Sequence, residues 1–346
     1  MVAMNDVVIL FGGVSDERRV SVASAQNLSL HLPNAELWFQ TVDGAVSPCT
    51  PERLAAHADP FTRELSLSEA PLWPALPVAL DDPRAAGRVF VLAFHGGDGE
   101  DGTVQREFER RGLAFTGSGS KACADAMNKA TAKALARKAG IRVVESMPLP
   151  MESTEAVFET LEAFRLRHGK VVAKPLAGGS SIGLHIVGDT GGVRRAASEI
   201  AGKAGLEYLA EAFVEGTELT VGVVDGDGGP RALPCSEVRT ETGRAFDYEG
   251  KYLGLGTREL TPAQVSREVA TATQAAAVQV HQALGCFGYS RTDFIVGREG
   301  PVFLELNTLP GLSRMSFIPQ QLAAADVTLR AFLEGQLVLA RRRPST

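Results

Sequence analysis

The sequence predicts a mixed α/β and α+β protein, with an open parallel α/β unit at its N-terminus and antiparallel segments behind it. Three observations carry that expectation. Two short continuous apolar runs, Val7-Val8-Ile9-Leu10-Phe11 and Val89-Phe90-Val91-Leu92-Ala93-Phe94, have the character of strands buried on both faces of a parallel sheet. The first run passes through Gly12-Gly13 into a helical stretch over residues 15–25, which begins an α/β unit. Near the other end, residues 291–296 and 301–308 alternate apolar and polar side chains around a glycine-bearing turn, the pattern of a β-hairpin.

A length of 346 residues favours two or three domains, and a hydrophobic content of 45% is ample for a core. The expected divisions are residues 1–118, 119–210 and 211–346. A net charge of −6 argues against a general nucleic-acid or anionic-membrane binder. No apolar run approaches the length of a membrane span, and the first residues lack the basic start of a signal peptide. Cys49, Cys123, Cys235 and Cys286 lie far apart without metal-binding spacing, which fits reduced cysteines in a cytoplasmic protein.

Taken in order, Glu17 lies at the start of the first helix, where an acid interacts favourably with the helix dipole or binds a cationic group. Residues 44–84 carry seven prolines and read as a loop-rich insertion with one short helix. The stretch Gly97-x-Gly99-x-x-Gly102 formally matches a dinucleotide fingerprint, but Asp98, Glu100 and Asp101 would set three negative charges against a pyrophosphate. His95 just before it reads equally as a structural histidine. Ser120 caps one helix running to about residue 139, with Lys129 and Lys133 one turn apart on one face. Lys174 ends the strand at residues 170–175 and precedes a glycine- and serine-rich loop, where backbone amides and a point charge can meet phosphate. Residues 219–224 and 231–238 read as a hairpin, residues 246–263 as a long polar lid-like loop, and residues 264–284 as an amphipathic helix. Helices close the chain over residues 319–343.

The late hairpin carries the chemistry. With period two, Glu305 and Asn307 share a strand face, and Asp293 on the partner strand converges with them if it points the same way. Carboxylate and amide oxygens are hard ligands suited to Mg²⁺, which takes its remaining oxygens from water and phosphate. Pro310-Gly311 then breaks the strand, and a glycine N–H there can face an oxyanion.

Arg291-x-Asp293 followed by Glu305-x-Asn307-x-x-Pro310-Gly311 resembles the C-terminal motif of ATP-grasp ligases, and within them the D-alanine–D-alanine ligase family. The likeness extends to the phrase from His95 to Gly102, to Met127-Asn128-Lys129-x-x-x-Lys133, and to Lys174-Pro175 with the loop ending Gly179-Ser180-Ser181-x-Gly183. It implies an ATP-grasp fold behind the N-terminal α/β domain. It also implies the cofactors ATP and Mg²⁺ (two ions, Mn²⁺ being a possible substitute), D-alanine as substrate, a homodimer, and a role in peptidoglycan synthesis. The resemblance assigns phosphates to Lys129, Lys174, Ser181 and Lys251, the adenine to Glu211, Phe213 and Val214, and the ribose to Glu218. Asp293, Glu305 and Asn307 become metal ligands. Glu17 falls at the ammonium of the first D-alanine, His95 near the D-alanine sites, Ser316 at the second substrate's carboxylate, and Arg291 with Gly311 at the oxyanion. Ser180 and Tyr252 join Glu17 in a hydrogen-bonded set under the lid. A tyrosine at position 252, where D-lactate-using relatives carry histidine, favours a dipeptide product. The chain departs from the family pattern at Arg19, at Gly178-Gly179 and at Ala212. Two other readings stay open: a paralogous ligase with another acceptor, and a non-catalytic ATP-binding protein of the same fold.

Overall fold

The computed structural model describes residues 6–179, 182–203, 205–240 and 257–343. Three sheets organise them. The first contains β1 (Val7–Gly12), β2 (Glu36–Gln40), β3 (Val46–Cys49), β4 (Val89–Leu92) and β5 (Ala114–Phe115), in the order β3-β2-β1-β4-β5. β2, β1, β4 and β5 run parallel, as the apolar runs require, and all of β1 and β4 is buried. The sheet is not wholly parallel, because β3 adds an antiparallel edge to β2. That strand lies in the proline-rich stretch expected to be loop with one helix. Two short helices follow it there, α2 (Pro51–Ala56) and α3 (Leu76–Asp81). Pro51 and Pro77 occupy first-turn positions, where a missing N–H is harmless, so prolines start helices here rather than break them.

α1 (Arg18–His31) begins three residues later than expected, because residues 15–17 form the turn that precedes it. α4 (Thr103–Arg111) runs between glycines at both ends, each with left-handed φ. The helix expected over residues 120–139 is two helices, α5 (Ser120–Met127) and α6 (Lys129–Lys138). Asn128 between them is extended, and its Oδ1 accepts from Thr131 N–H at 3.0 Å. The Lys129 N–H leaves the helix ladder and donates to Leu176 O at 3.0 Å.

The second sheet is antiparallel, ordered β6 (Ser146–Pro148), β9 (Tyr208–Ala212), β7 (Val171–Pro175), β8 (His185–Val187). α7 (Thr154–His168) and α8 (Thr190–Ala201) cover it, and Leu161, Phe164, Val193 and Ile200 fill the core between. The third sheet contains β10 (Thr217–Gly226), β11 (Gly229–Ala232), β12 (Ser236–Thr240), β13 (Thr257–Leu260), β14 (Tyr289–Gly297) and β15 (Gly300–Asn307), with β11 and β12 both on β10. α9 (Arg267–Ala283) packs against it. α10 (Phe317–Ala324) and α11 (Leu329–Arg341) return to the first sheet, where Phe332, Leu333 and Leu337 share a core with Phe90 and Phe108. The chain's last helix therefore completes the core of its first sheet. No helix among the described residues is long and apolar enough to cross a membrane.

Candidate active site

The β14–β15 hairpin sets the geometry. Asp293 pairs with Glu305 and Arg291 pairs with Asn307 across the ladder, so alternation places all four side chains on one face. Directly after this set the register shifts: Phe294 pairs with Phe303, leaving Leu304 as the extra residue of a bulge. Phe294 and Phe303 turn into the core, while Asp293, Leu304 and Glu305 line a cavity of about 1210 Å³. Arg291 grips Asp293 at two points, Nε to Oδ1 at 3.0 Å and Nη2 to Oδ2 at 2.9 Å. Thr220 on β10 donates its hydroxyl to the same Oδ1 at 2.5 Å. Asn307 Oδ1 accepts from Leu309 N–H at 2.8 Å, which fixes the amide and leaves that oxygen a second lone pair. No three His, Cys, Asp or Glu side chains converge among the described residues; the oxygen set is two carboxylates and this amide.

Across the cavity stand two lysines. Lys129, the first residue of α6, is buried, with Nζ 2.5 Å from Gly178 O and 3.8 Å from Glu305 Oε2. Lys174 ends β7 with Nζ 2.9 Å from Glu211 Oε2, and Lys133 holds Glu211 Oε1. Burial draws the Lys133 ammonium down to about 8, against the opposing pull of Glu211. Phe213, Val214 and Glu218 continue the cavity wall, and Lys170 Nζ lies 3.9 Å from the centre of the Phe213 ring. Glu17 lines the same cavity from the start of α1.

Ser15 and Gly96 line both this cavity and an adjoining one of about 300 Å³, where His95 sits. His95 is buried, with Nε2 3.1 Å from Ser24 Oγ and Nδ1 3.7 Å from Glu100 Oε1. Gly311 packs against it. A Cβ at position 311 would lie 2.6 Å from Ser316 Oγ and 3.4 Å from His95 Cε1. Ser316 occupies the N-cap position of α10 without a side-chain capping bond, and shares a 2.8 Å hydroxyl contact with Ser313. The structure thus gathers Asp293, Glu305, Lys129, Lys174 and Glu17 at one cavity, and His95, Gly311 and Ser316 in a cluster beside it. Ser180, Ser181, Lys251 and Tyr252 lie outside the described residues.

Two family models match the chain: the D-ala D-ala ligase N-terminus over residues 6–118 and the D-ala D-ala ligase C-terminus over residues 135–338. The chain belongs to the D-alanine–D-alanine ligase family. The D-alanine–D-alanine ligase of Leptospira biflexa is 32% identical over 345 residues, covering 94% of this chain and 95% of that one. The ligase of Gluconobacter oxydans is 39% identical over 247 residues, 70% of this chain and 78% of its own. Among solved structures, the VanG D-Ala:D-Ser ligase from Enterococcus faecalis superposes with a TM-score of 0.81 at 27% identity, covering 96% and 98% of the two chains. The D-alanine–D-alanine ligase from Bacillus anthracis complexed with ATP gives 0.71 at 25% identity, covering 97% and 96%. The ATP-grasp fold follows from these matches.

Within this ligase-family site, sequence reasoning overlooked three things. It gave Lys133 no partner, it did not single out Thr220, and it did not foresee the bulge that turns Leu304 into the cavity. For Lys133 a signal existed, since it follows Lys129 by one helical turn and so shares its face.

Proposed function

We propose that this chain is an ATP-dependent, ADP-forming ligase that joins two D-alanines into the dipeptide used for peptidoglycan, working in the cytoplasm as a homodimer. The observation that supports it is the pairing of Asp293 with Glu305 across one hairpin, facing Lys129 and Lys174 over a nucleotide-sized cavity. Two carboxylates and a fixed amide oxygen on one face of the hairpin are the hard donor set that Mg²⁺ takes, so Asp293, Glu305 and Asn307 fit the ion. Bound there, Mg²⁺ would offset the charge of the nucleotide phosphates.

The chain's own residues supply the rest by position and charge. Lys129 and Lys174 hold phosphate oxygens against the hairpin, which lessens the repulsion a carboxylate nucleophile meets. Phe213 and Val214 border the adenine and Glu218 takes the ribose hydroxyls. Glu17 binds the ammonium of the first D-alanine, beside His95. That substrate's carboxylate accepts the γ-phosphoryl group of ATP, giving an acyl phosphate and ADP. The deprotonated amine of the second D-alanine, whose carboxylate rests at Ser316, attacks the acyl carbon, and phosphate leaves. In this reading Arg291 and the Gly311 N–H are the donors to the oxyanion, and the fork to Asp293 supports the role by holding Arg291 in place.

A second acceptor, D-serine, is raised by the likeness to the Enterococcus faecalis D-Ala:D-Ser ligase. Phosphate release from ATP with Mg²⁺ decides between them. D-Alanine alone is expected to support turnover, with D-serine, D-lactate and L-amino acids weaker as acceptors. Turnover with another amino acid but not with D-alanine would make the chain a paralogous ligase, and no release with any of them would remove the catalytic reading.

A further inference from the structure

Lys133 stands behind the wall of the cavity rather than in it. Its side chain is 2% exposed, and it does not line the cavity, whereas Glu211 and Lys174 do. Its ammonium donates to Glu211 Oε1 and to Leu304 O at 3.3 Å. Leu304 is the bulge residue of the metal-binding hairpin, so one ammonium joins β9, β15 and α6. The other oxygen of Glu211 faces Lys174 Nζ at 2.9 Å. Two ammonium groups thus share one buried carboxylate, and as charged groups they leave a surplus of one positive charge beside the cavity. A surplus of buried charge is unfavourable until an anion arrives to balance it. Without Lys133, Glu211 and Lys174 would form a one-to-one buried pair, and the Lys174 charge would be cancelled where it stands.

We propose that Lys133 is a positioning residue for the nucleotide: by occupying one oxygen of Glu211 it leaves the Lys174 charge directed at phosphate across the cavity. The inference rests on the reading that ATP fills this cavity. It predicts a specific pattern of rescue. In the 346-residue chain, Lys133→Met is expected to raise the KM for ATP about tenfold or more, as loss of a charged hydrogen bond does, while the KM for D-alanine moves by less than about twofold. Adding Glu211→Gln to Lys133→Met is expected to bring the KM for ATP back to that of Glu211→Gln alone, the reference that carries any loss of the adenine contact assigned to Glu211, because Lys174 again has no anionic partner. Lys133→Arg, which keeps the charge, is expected to stay near wild type. Lys133→Leu, also neutral and unable to hydrogen-bond Glu211, carries the same test should Lys133→Met not fold. A folded neutral variant with unchanged ATP affinity overturns the proposal, as do equal rises for ATP and D-alanine, or a double variant whose KM for ATP lies above that of Glu211→Gln alone. Calorimetric binding of ADP reads the same affinities without turnover. A wild-type chain that binds ADP but ligates nothing would fail the functional reading while leaving this one to be decided by the variants.

Discussion

Arg291 and Asp293 sit two residues apart on one strand and meet through a two-point fork at 3.0 and 2.9 Å. The pair is a unit: the guanidinium assigned to the oxyanion also orients the carboxylate assigned to the metal. Arg291→Lys keeps the charge but loses the planar fork. It is expected to lower kcat by about 10²-fold or more and also to raise the Mg²⁺ concentration giving half-maximal rate. Initial rates over a Mg²⁺ titration measure both, and an unchanged Mg²⁺ requirement would mean that Asp293 is held by Thr220 alone.

Gly311 has ordinary φ, so its constraint is space rather than backbone. A methyl group there meets Ser316 Oγ at 2.6 Å and His95 Cε1 at 3.4 Å. Gly311→Ala is expected to raise the KM for the second D-alanine by about tenfold, with little change for ATP, since a displacement near 1 Å at a site has effects of that size or greater. Two-substrate kinetics would show it. An effect confined to ATP would place the acceptor elsewhere.

Gln321 fills a gap in a strand ladder. On the edge of β10 away from β14, no strand pairs between the ends of β12 and β11, and the Gln321 side chain substitutes for one. Its Oε1 accepts from Gly222 N–H at 2.8 Å, and its Nε2 donates to Thr220 O at 2.9 Å and Ser236 Oγ at 3.0 Å. Gln321→Leu strands buried backbone groups and is expected to cost on the order of 3 kcal/mol in urea unfolding. A loss under about 0.5 kcal/mol, typical of surface sites, would contradict this account.

Alkaline pH should weaken the fold through its thiols. Burial raises Cys123 to about 12 and Cys235 to about 11, against an ordinary 9.0. Cys286 and Tyr289 are raised for the same reason. Above pH 9 the unfolded chain releases these thiol protons while the folded chain keeps them. The stability they contribute is therefore complete below pH 9 and is lost as pH climbs toward each raised value. Each thiol is worth up to about 1.4 kcal/mol per pH unit in that window. Urea midpoints at pH 8.5 and 10.5 measure the slope. Cys123→Ala should flatten it, and an unaltered slope would assign the effect to other groups. Lys133 opposes it, because a lowered ammonium gains relative stability as pH rises above about 8.

Local pattern alone made much of this molecule legible. The apolar runs of β1 and β4, the alternation that puts Asp293 and Glu305 on one face, and the break at Pro310-Gly311 are properties of neighbouring residues. Strand period and turn chemistry are local, so the sequence by itself determined the hairpin and the residue types at its face. Only the tertiary structure decided what those residues meet. The helix breaks at Asn128 because the Lys129 N–H bonds Leu176 in another segment. Likewise, β3 exists because β2 offers it an edge, and Glu211 lies between Lys133 and Lys174 because α6, β7 and β9 converge. Hydrogen bonds and buried charges between segments distant in the chain leave no periodic trace, because the energy that fixes them comes from removing both partners from water together.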